Sequence, residues 1–402
     1  MKILHTSDWH VGRTIRGRSR ADEHEAVLAE IAGVARDEVV DLVVVVGDVF
    51  DSAAPTAESE RIAYAGLLEL AATGASVLVV SGNHDNERRL QAVAPLLGLG
   101  RIVTRASFAT AADGGVVAGE TSAGETWRVA TVPFLSQRWV VRAADLLHLD
   151  ADQHNGQYAA RVARIVAALT AGFAADSVNI VAAHLLIAGG MLGGGERAAH
   201  TIFDYAVSAA AFPTSAHYVA LGHLHRSQAI AGPCPIRYSG SPLQLDFGET
   251  ADTKSVTIVE ASPGRPAAVR EVPLHSGRRL RTIRGTLAEL EAVAAIEVPG
   301  DPSDDAPDSW LKIIVRERPR LGLADEVRAR FPNAVDVLVE DPSAAPAGSG
   351  SRSEAADAVQ RTAGSTSPHE LFSAYLADQG ADDARLVALF DRLLDELETA
   401  DR

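Results

Sequence analysis

Asp8-Trp9-His10, Gly47-Asp48-Val49-Phe50-Asp51, Gly82-Asn83-His84-Asp85 and Gly222-His223-Leu224-His225 form four short polar blocks, with His184 alone between the last two. Carboxylates, imidazoles and an amide oxygen in this number are the donors of a two-metal phosphoesterase. Two divalent ions about 3.5 to 4 Å apart need one carboxylate that bridges them and further donors that fill each shell. Asp48 is the natural bridge. Residues two apart on an extended segment project to the same side, so Asp8 with His10, and His223 with His225, are expected to reach one cavity. The distribution puts Asp8, His10, Asp48 and His225 on one ion, and Asp48, Asn83, His184 and His223 on the other. His84 then stands outside both shells, placed to stabilise charge on a phosphate or to protonate a leaving oxygen. Asp51 and Asp85 are expected to fix imidazole orientation.

The elements that position these blocks are legible as apolar runs bounded by turn residues. Residues 2–7, 41–46, 77–81, 179–183 and 218–221 are strand candidates, and a block follows each, or begins as it ends. The polar groups therefore collect at one edge of a sheet. Helix candidates alternate with these strands at 22–39, from near Thr56, at 86–97 and at 152–173, while 115–118 and 127–132 suggest a hairpin. This order predicts an α/β fold, a two-layered sheet sandwich with flanking helices.

Taken singly, each block is a weak signal, since a Gly-Asp pair after a strand is more often a turn with a capping aspartate. Four such blocks in order are hard to obtain from packing alone. The remaining histidines, His5, His24, His148, His154, His200, His217, His275 and His369, are assigned surface or structural roles, and Trp9 a packing role. Cys234 is the only cysteine, which excludes a disulfide, a zinc ribbon or a catalytic thiol with a paired cysteine.

At 402 residues the chain is expected to hold more than one domain. No apolar stretch of about 18 residues predicts a membrane span. Cleavage of a signal peptide would remove Asp8 and His10, which argues against one. The net charge of -16 is unusual for a protein acting on DNA, where basic surface supplies affinity. Part of the acidity lies in the tail after His369. Local basic groups are Arg13, Arg16, Arg18 and Arg20 after the first block, Arg88 and Arg89 after the third, and Arg278, Arg279, Arg281 and Arg284.

Residues 5–13 (HTSDWHVGR), 47–51 (GDVFD), 218–225 (YVALGHLH) and 238–249 (YSGSPLQLDFGE), with Lys254, carry a resemblance. The chain resembles the calcineurin-like metallophosphoesterases and, among them, the SbcD family of nuclease subunits, over roughly residues 1–260. The resemblance implies a four-layered αββα sandwich over 1–275 and a small α+β capping domain over 276–340 that helps seat DNA above the metals. It implies an ATP-regulated 3′ to 5′ exonuclease and hairpin-opening endonuclease for DNA repair, replication and recombination. It further implies a homodimer assembled with an SbcC-type ATPase, at work on double-stranded and hairpin DNA in the cytoplasm near the nucleoid. Manganese is the expected activator, though zinc or iron would also suit such donors.

Within the second unit, 281–298, 310–315 and 335–339 are expected to run strand, helix, strand, strand. Residues 341–367, rich in Ala, Ser, Gly and Pro, suggest a flexible linker. In 368–402, Ser367-Pro368-His369-Glu370 carries capping-box residues, and Leu386, Phe390, Leu393 and Leu397 make a helical stripe. That helical pair either folds back on the body or docks on a partner, and the resemblance favours the ATPase. The glycine-rich segment 189–195 is a substrate loop or a disordered insertion. Two other readings use the same blocks: a small-molecule phosphodiesterase or phosphomonoesterase, and a binding scaffold on a degenerate phosphoesterase fold. The length after Leu274 speaks against the first, and the complete ligand set against the second.

Overall fold

The computed structural model describes residues 1–136, 158–194, 196, 206–295, 309–342, 376, 386, 389 and 390. They belong to two compact units, 1–342 and 343–402. Residues 343–367 of the expected linker lie outside the described residues, and of the expected tail helices only Leu376, Leu386, Leu389 and Phe390 are described, all helical. Among the described residues, no helix is long and apolar enough to cross a membrane.

The first unit is built on two six-stranded sheets. In one, β1 (Lys2–Thr6), β2 (Leu42–Val46), β3 (Ser76–Val80) and β4 (Ile102–Arg105) run parallel, and β11 (Ser255–Ser262) and β12 (Arg265–Pro273) extend it antiparallel beside β1. In the other, β5 (Val116–Glu120) pairs antiparallel with β6 (Thr126–Val132), as the expected hairpin. Then β6, β7 (Val178–His184), β8 (Tyr218–Gly222) and β10 (Ile236–Tyr238) run parallel, with β9 (Gln228–Ile230) at the edge.

Alternation along the strands explains the layering. In β2, every residue of Leu-Val-Val-Val-Val is buried, because both faces are covered. Leu42, Val44 and Val46 face the second sheet, where they meet Ile180, Ala182, Tyr218 and Ala220. Val43 and Val45 face α1 (Ala21–Asp37) and α2 (Ala57–Ala72) through Val27, Ile31, Ile62 and Leu67. On the far side, α4 (Tyr158–Thr170) packs Val162, Ile165, Val166 and Leu169 against Ala130, Val181 and Val219. Each buried Val, Leu or Ile stabilises by about 1.5 to 3 kcal/mol. The result is the αββα sandwich. Helix α3 (Glu87–Leu99) begins at Asn86, whose side chain accepts from the Arg89 amide.

Residues 280–340 add a separate three-stranded sheet of β13 (Leu280–Gly285), β14 (Trp310–Arg316) and β15 (Ala334–Glu340), all parallel. Helices α5 (Leu287–Ala295) and α6 (Leu323–Arg330) lie between successive strands. The expected order omitted α6. Parallel neighbours cannot be joined by a tight hairpin, so a crossover is required between β14 and β15. That crossover buries only Leu323 and Val327 in a short polar helix, too little to read as a periodicity.

This sheet is fastened to the sandwich by polar bonds. Glu23 accepts from the Trp310 indole at 2.8 Å and the Arg278 amide at 2.8 Å, and it pairs with buried Arg20. The Leu280 amide donates to Gln244 Oε1 at 2.7 Å. Arg16 bonds Asp336 at 3.0 Å. The run of arginines after the first block is thus partly a structural joint rather than a free basic surface: Arg20 is buried and Arg16 is paired.

Candidate metal centre

The five strands that lead to the polar blocks end on the same side of the sandwich, as carboxyl ends of parallel strands do. Asp8 follows β1, Asp48 follows β2, Asn83 follows β3, His184 ends β7, and His223 follows β8. The loops after β1 and β2 are zipped together: the amides of Asp8, His10 and Val11 donate to the carbonyls of Gly47, Asp48 and Val49 at 3.0, 2.9 and 2.9 Å. Asp8 (φ 52°), His10 (φ 48°), Asp48 (φ 51°) and His223 (φ 108°) all have positive φ. The pairs Asp8/His10 and His223/His225 therefore do not converge by strand alternation, as expected from their spacing. Left-handed turns aim them instead, at a strain of about 1 to 3 kcal/mol per residue that the surrounding bonds must offset.

Glycines make the convergence possible. A Cβ on Gly47 would fall 2.0 Å from His184 Nδ1, one on Gly82 would fall 2.1 Å from Asp48 Oδ1, and one on Gly222 would fall 1.8 Å from the Val46 carbonyl oxygen. Each of these glycines directly precedes a proposed ligand. The Gly-Asp, Gly-Asn and Gly-His dipeptides thus mark backbone close approach as well as donor type.

Among the described residues the donors meet in three groups, the third of which shares a member with each of the other two. Ligand atoms of Asp8, His10 and His225 lie within 4.8 Å of one another, as do those of Asp48, His184 and His223. Asp48 Oδ2 lies between the two groups, 3.6 Å from His10 Nε2 and 3.5 Å from His184 Nε2. Asn83 Oδ1 lies 2.9 Å from His184 Nε2 and 3.0 Å from His223 Nδ1. His84 lies with His10 and Asp48, their side-chain donors also within 4.8 Å. Its Nδ1 donates to the Asp51 carbonyl at 2.7 Å.

These residues fit a pair of divalent ions. His184 Nδ1 donates to the Val46 carbonyl at 3.0 Å, so its Nε2 faces the Asn83 oxygen. An imidazole nitrogen and an amide oxygen at that separation need a cation to share, a proton in the bare protein or a metal ion in the loaded one. Neither ring nitrogen of His10 has a hydrogen-bond partner, a costly buried state that a metal bond removes at one of them. The electrostatics agree. Burial alone would lower His184, but Asp48 and then Asp8 raise it to about 9. Burial and the neighbouring Asp48 raise Asp8 to about 6, against the pull of His184 and His225. Burial would raise Asp48 as well, yet His184, His10 and His84 hold it well below the usual carboxylate range. The pocket draws positive charge to the place where ions would stand.

The supporting residues divide differently from expectation. Asp51 Oδ1 lies 3.3 Å from His10 Nδ1 without a hydrogen bond between them, and accepts from Arg13 at 3.2 Å. Although burial opposes it, His10 first and Arg13 next hold Asp51 at about 2. Asp85, however, accepts from the backbone amides of Gly82, Phe50 and Val49 at 2.9, 3.0 and 3.3 Å. It clamps the second block to the third, a backbone role in place of the expected imidazole contact. Three further groups, Glu196, Glu249 and Lys254, have a part in the centre that their local sequence does not reveal. Glu196 accepts from the amides of Gly193, Gly194 and His225, which pins the described part of the glycine-rich segment beside the centre. Glu249 Oε1 accepts from His225 Nδ1 at 3.0 Å, and Lys254 donates to Glu249 Oε2 at 2.7 Å. The only sequence signal for this pair is the Gly-Glu and Lys254 wording near residue 249. His5 and His24, by contrast, are buried outside the site, and burial first of all lowers them to about 3 and about 4.

The chain is similar to known proteins. The family described as calcineurin-like phosphoesterase matches residues 1–227, and the family described as type 5 capsule protein repressor C-terminal domain matches residues 276–380. The D subunit of the nuclease SbcCD from Bacillus subtilis (strain 168) is 35% identical over 334 residues, covering 82% of this chain and 83% of that protein. The Rhodobacter capsulatus protein of that name is 33% identical, over 84% of this chain and 85% of its own length. The Escherichia coli (strain K12) protein is 29% identical, over 78% and 77%.

Proposed function

The chain belongs to the calcineurin-like phosphoesterases, in their branch of SbcCD nuclease D subunits, and we propose that this metal-dependent hydrolase is a two-metal DNA phosphodiesterase. The observation that carries the reading is Asp48 Oδ2, set between His10 Nε2 and His184 Nε2 at 3.6 and 3.5 Å, the position of a bridging carboxylate. Asp8, His10, Asp48 and His225 hold one ion; Asp48, Asn83, His184 and His223 hold the other. Manganese fits this mixed set of imidazole and oxygen donors. When bound, the ions supply Lewis-acid charge for the phosphate and an activated water.

The protein's own residues do the rest. Asp51 supports His10 from one side while its carbonyl holds His84 Nδ1, so His84 Nε2 is the nitrogen that can give a proton to the departing 3′ oxygen. Asp85 keeps the two loops in register by its amide bonds. The sheet at 280–340 caps the sandwich and helps seat DNA. The segment 368–402 docks on an SbcC-type ATPase, which regulates 3′ to 5′ exonuclease and hairpin-opening activity, and two copies of each subunit assemble for DNA repair, replication and recombination near the nucleoid.

The test compares a diester with a monoester model substrate, then hairpin DNA with manganese and with chelator. Diester preference and manganese-dependent hairpin cleavage are expected. Monoester preference with no DNA cleavage would replace this reading by a small-molecule one. Deletion of residues after Ser367 should abolish co-purification with the ATPase, and retained binding would remove the docking assignment.

A further inference from the structure

Every polar atom of His225 except one is committed to the protein. Its amide donates to Glu196 at 3.1 Å, its carbonyl accepts from the Ser241 amide at 3.0 Å and from Lys254 at 3.0 Å, and its Nδ1 donates to Glu249 at 3.0 Å. Nε2 remains as the lone-pair nitrogen. We propose that Glu249, with Lys254 behind it, is the positioning residue for His225, fixing its tautomer and ring plane for one of the two ions. The inference rests on the two-metal reading of the site.

The Glu249 side chain is fully buried and that of Lys254 nearly so. A buried carboxylate and ammonium are expensive to desolvate, and a well-packed apolar pair stabilises a fold as well or better. Stability alone is therefore a poor account of them. Their bonding is specific instead. Lys254 spends its donors on Glu249 Oε2, the His225 carbonyl and Ser241 Oγ. Glu249 Oε2 also accepts from the Leu245 amide at 3.0 Å, which leaves Oε1 to the imidazole. Lys254 cancels the charge of Glu249, so the pair polarises the ring without adding another net negative charge beside Asp8 and Asp48.

The backbone that carries Glu249 is held as tightly. Gln244 Nε2 donates to the carbonyls of Glu249, Thr250 and Asp252 at 3.0, 3.3 and 3.1 Å. Gly240 has φ +74° and lies so close to the His225 carbonyl that a Cβ would fall 2.7 Å from it. The loop from 240 to 254 is thus a sling around one ligand. On the other ion, His184 leans on the Val46 carbonyl instead. Loss of Glu249 should therefore affect one ion and spare the other.

The experiment titrates manganese chloride into the metal-free full chain by calorimetry, with bound manganese counted by electron paramagnetic resonance. Glu249→Gln keeps shape and an acceptor oxygen but loses the charge. One of the two binding events should weaken about ten- to a hundredfold, the usual effect of removing such a support, while the other is unchanged. In a His225→Asn background the same substitution should change nothing further. If Glu249→Gln does not fold, Glu249→Asp, which keeps the charge beside Lys254 but shortens the reach, should give the same one-site loss. Wild-type affinity at both sites in the folded variant, or equal weakening of both, would overturn the assignment. Absence of manganese binding by the wild-type chain would instead overturn the two-metal reading beneath it.

Discussion

Gly222, at the end of β8, lies so close to the carbonyl of Val46, at the end of β2 in the opposite sheet, that a Cβ on residue 222 would sit 1.8 Å from that oxygen. The same carbonyl accepts from His184 Nδ1. The two sheets therefore meet backbone to side chain at the metal centre, and no side chain larger than hydrogen fits there.

Gly222→Ala is expected to destabilise the fold by about 1 to 3 kcal/mol or more, as overpacking does, and to lower metal occupancy. Gly33, inside α1 with open space around its Cα, provides the contrast: Gly33→Ala should be neutral or stabilise by up to about 1 kcal/mol. Urea unfolding of both variants measures the difference. Equal effects would mean that the contact between the sheets is not tight.

His84→Gln should leave manganese binding intact while slowing cleavage by about 10² to 10⁴, the range of a lost general acid. Metal counting alongside single-turnover hairpin cleavage separates the two. A variant that loses its metals would place His84 among the ligands, a position that its nearness to His10 and Asp48 makes worth testing.

Glu23→Gln leaves the buried Arg20 guanidinium without its charge partner and weakens the bonds to Trp310 and Arg278. Breaking a buried pair in this way costs about 3 to 5 kcal/mol. Amide exchange should accelerate first in residues 280–340. Uniform acceleration through the whole sandwich would mean that Glu23 does not act as the local fastening.

His5, buried with its Nδ1 2.9 Å from the Tyr218 hydroxyl, is lowered by burial from 6.5 to about 3. Between those values the unfolded chain binds a proton that the folded chain refuses, so stability falls as pH drops from about 6.5 toward 3. Urea midpoints of metal-free protein should decline through that window, and His5→Asn should flatten part of the decline. Parallel curves for wild type and variant would exclude His5 as a source.

The fold was legible where local pattern is strong. The valine run of β2 and the spacing of Val27, Ile31 and Val34 in α1 point to a strand and a helix without help. Strands β11 and β12 did not announce themselves, since β12 alternates exposed and half-buried residues at a sheet edge. Helix α6 was missed because its two buried residues follow from the parallel pairing of β14 and β15, a relation between distant segments.

The sequence by itself determined the proposed donors and that they lie at strand ends, because donor type and the glycine before it are properties of a few adjacent residues. Only the tertiary structure decided how they are aimed. Positive φ at Asp8, His10, Asp48 and His223, the amide clamp of Asp85, and the bond from His225 to Glu249 arise where separate loops are held against one another. Such contacts are set by loop closure and sheet packing across long separations, and they leave no periodic trace in the chain.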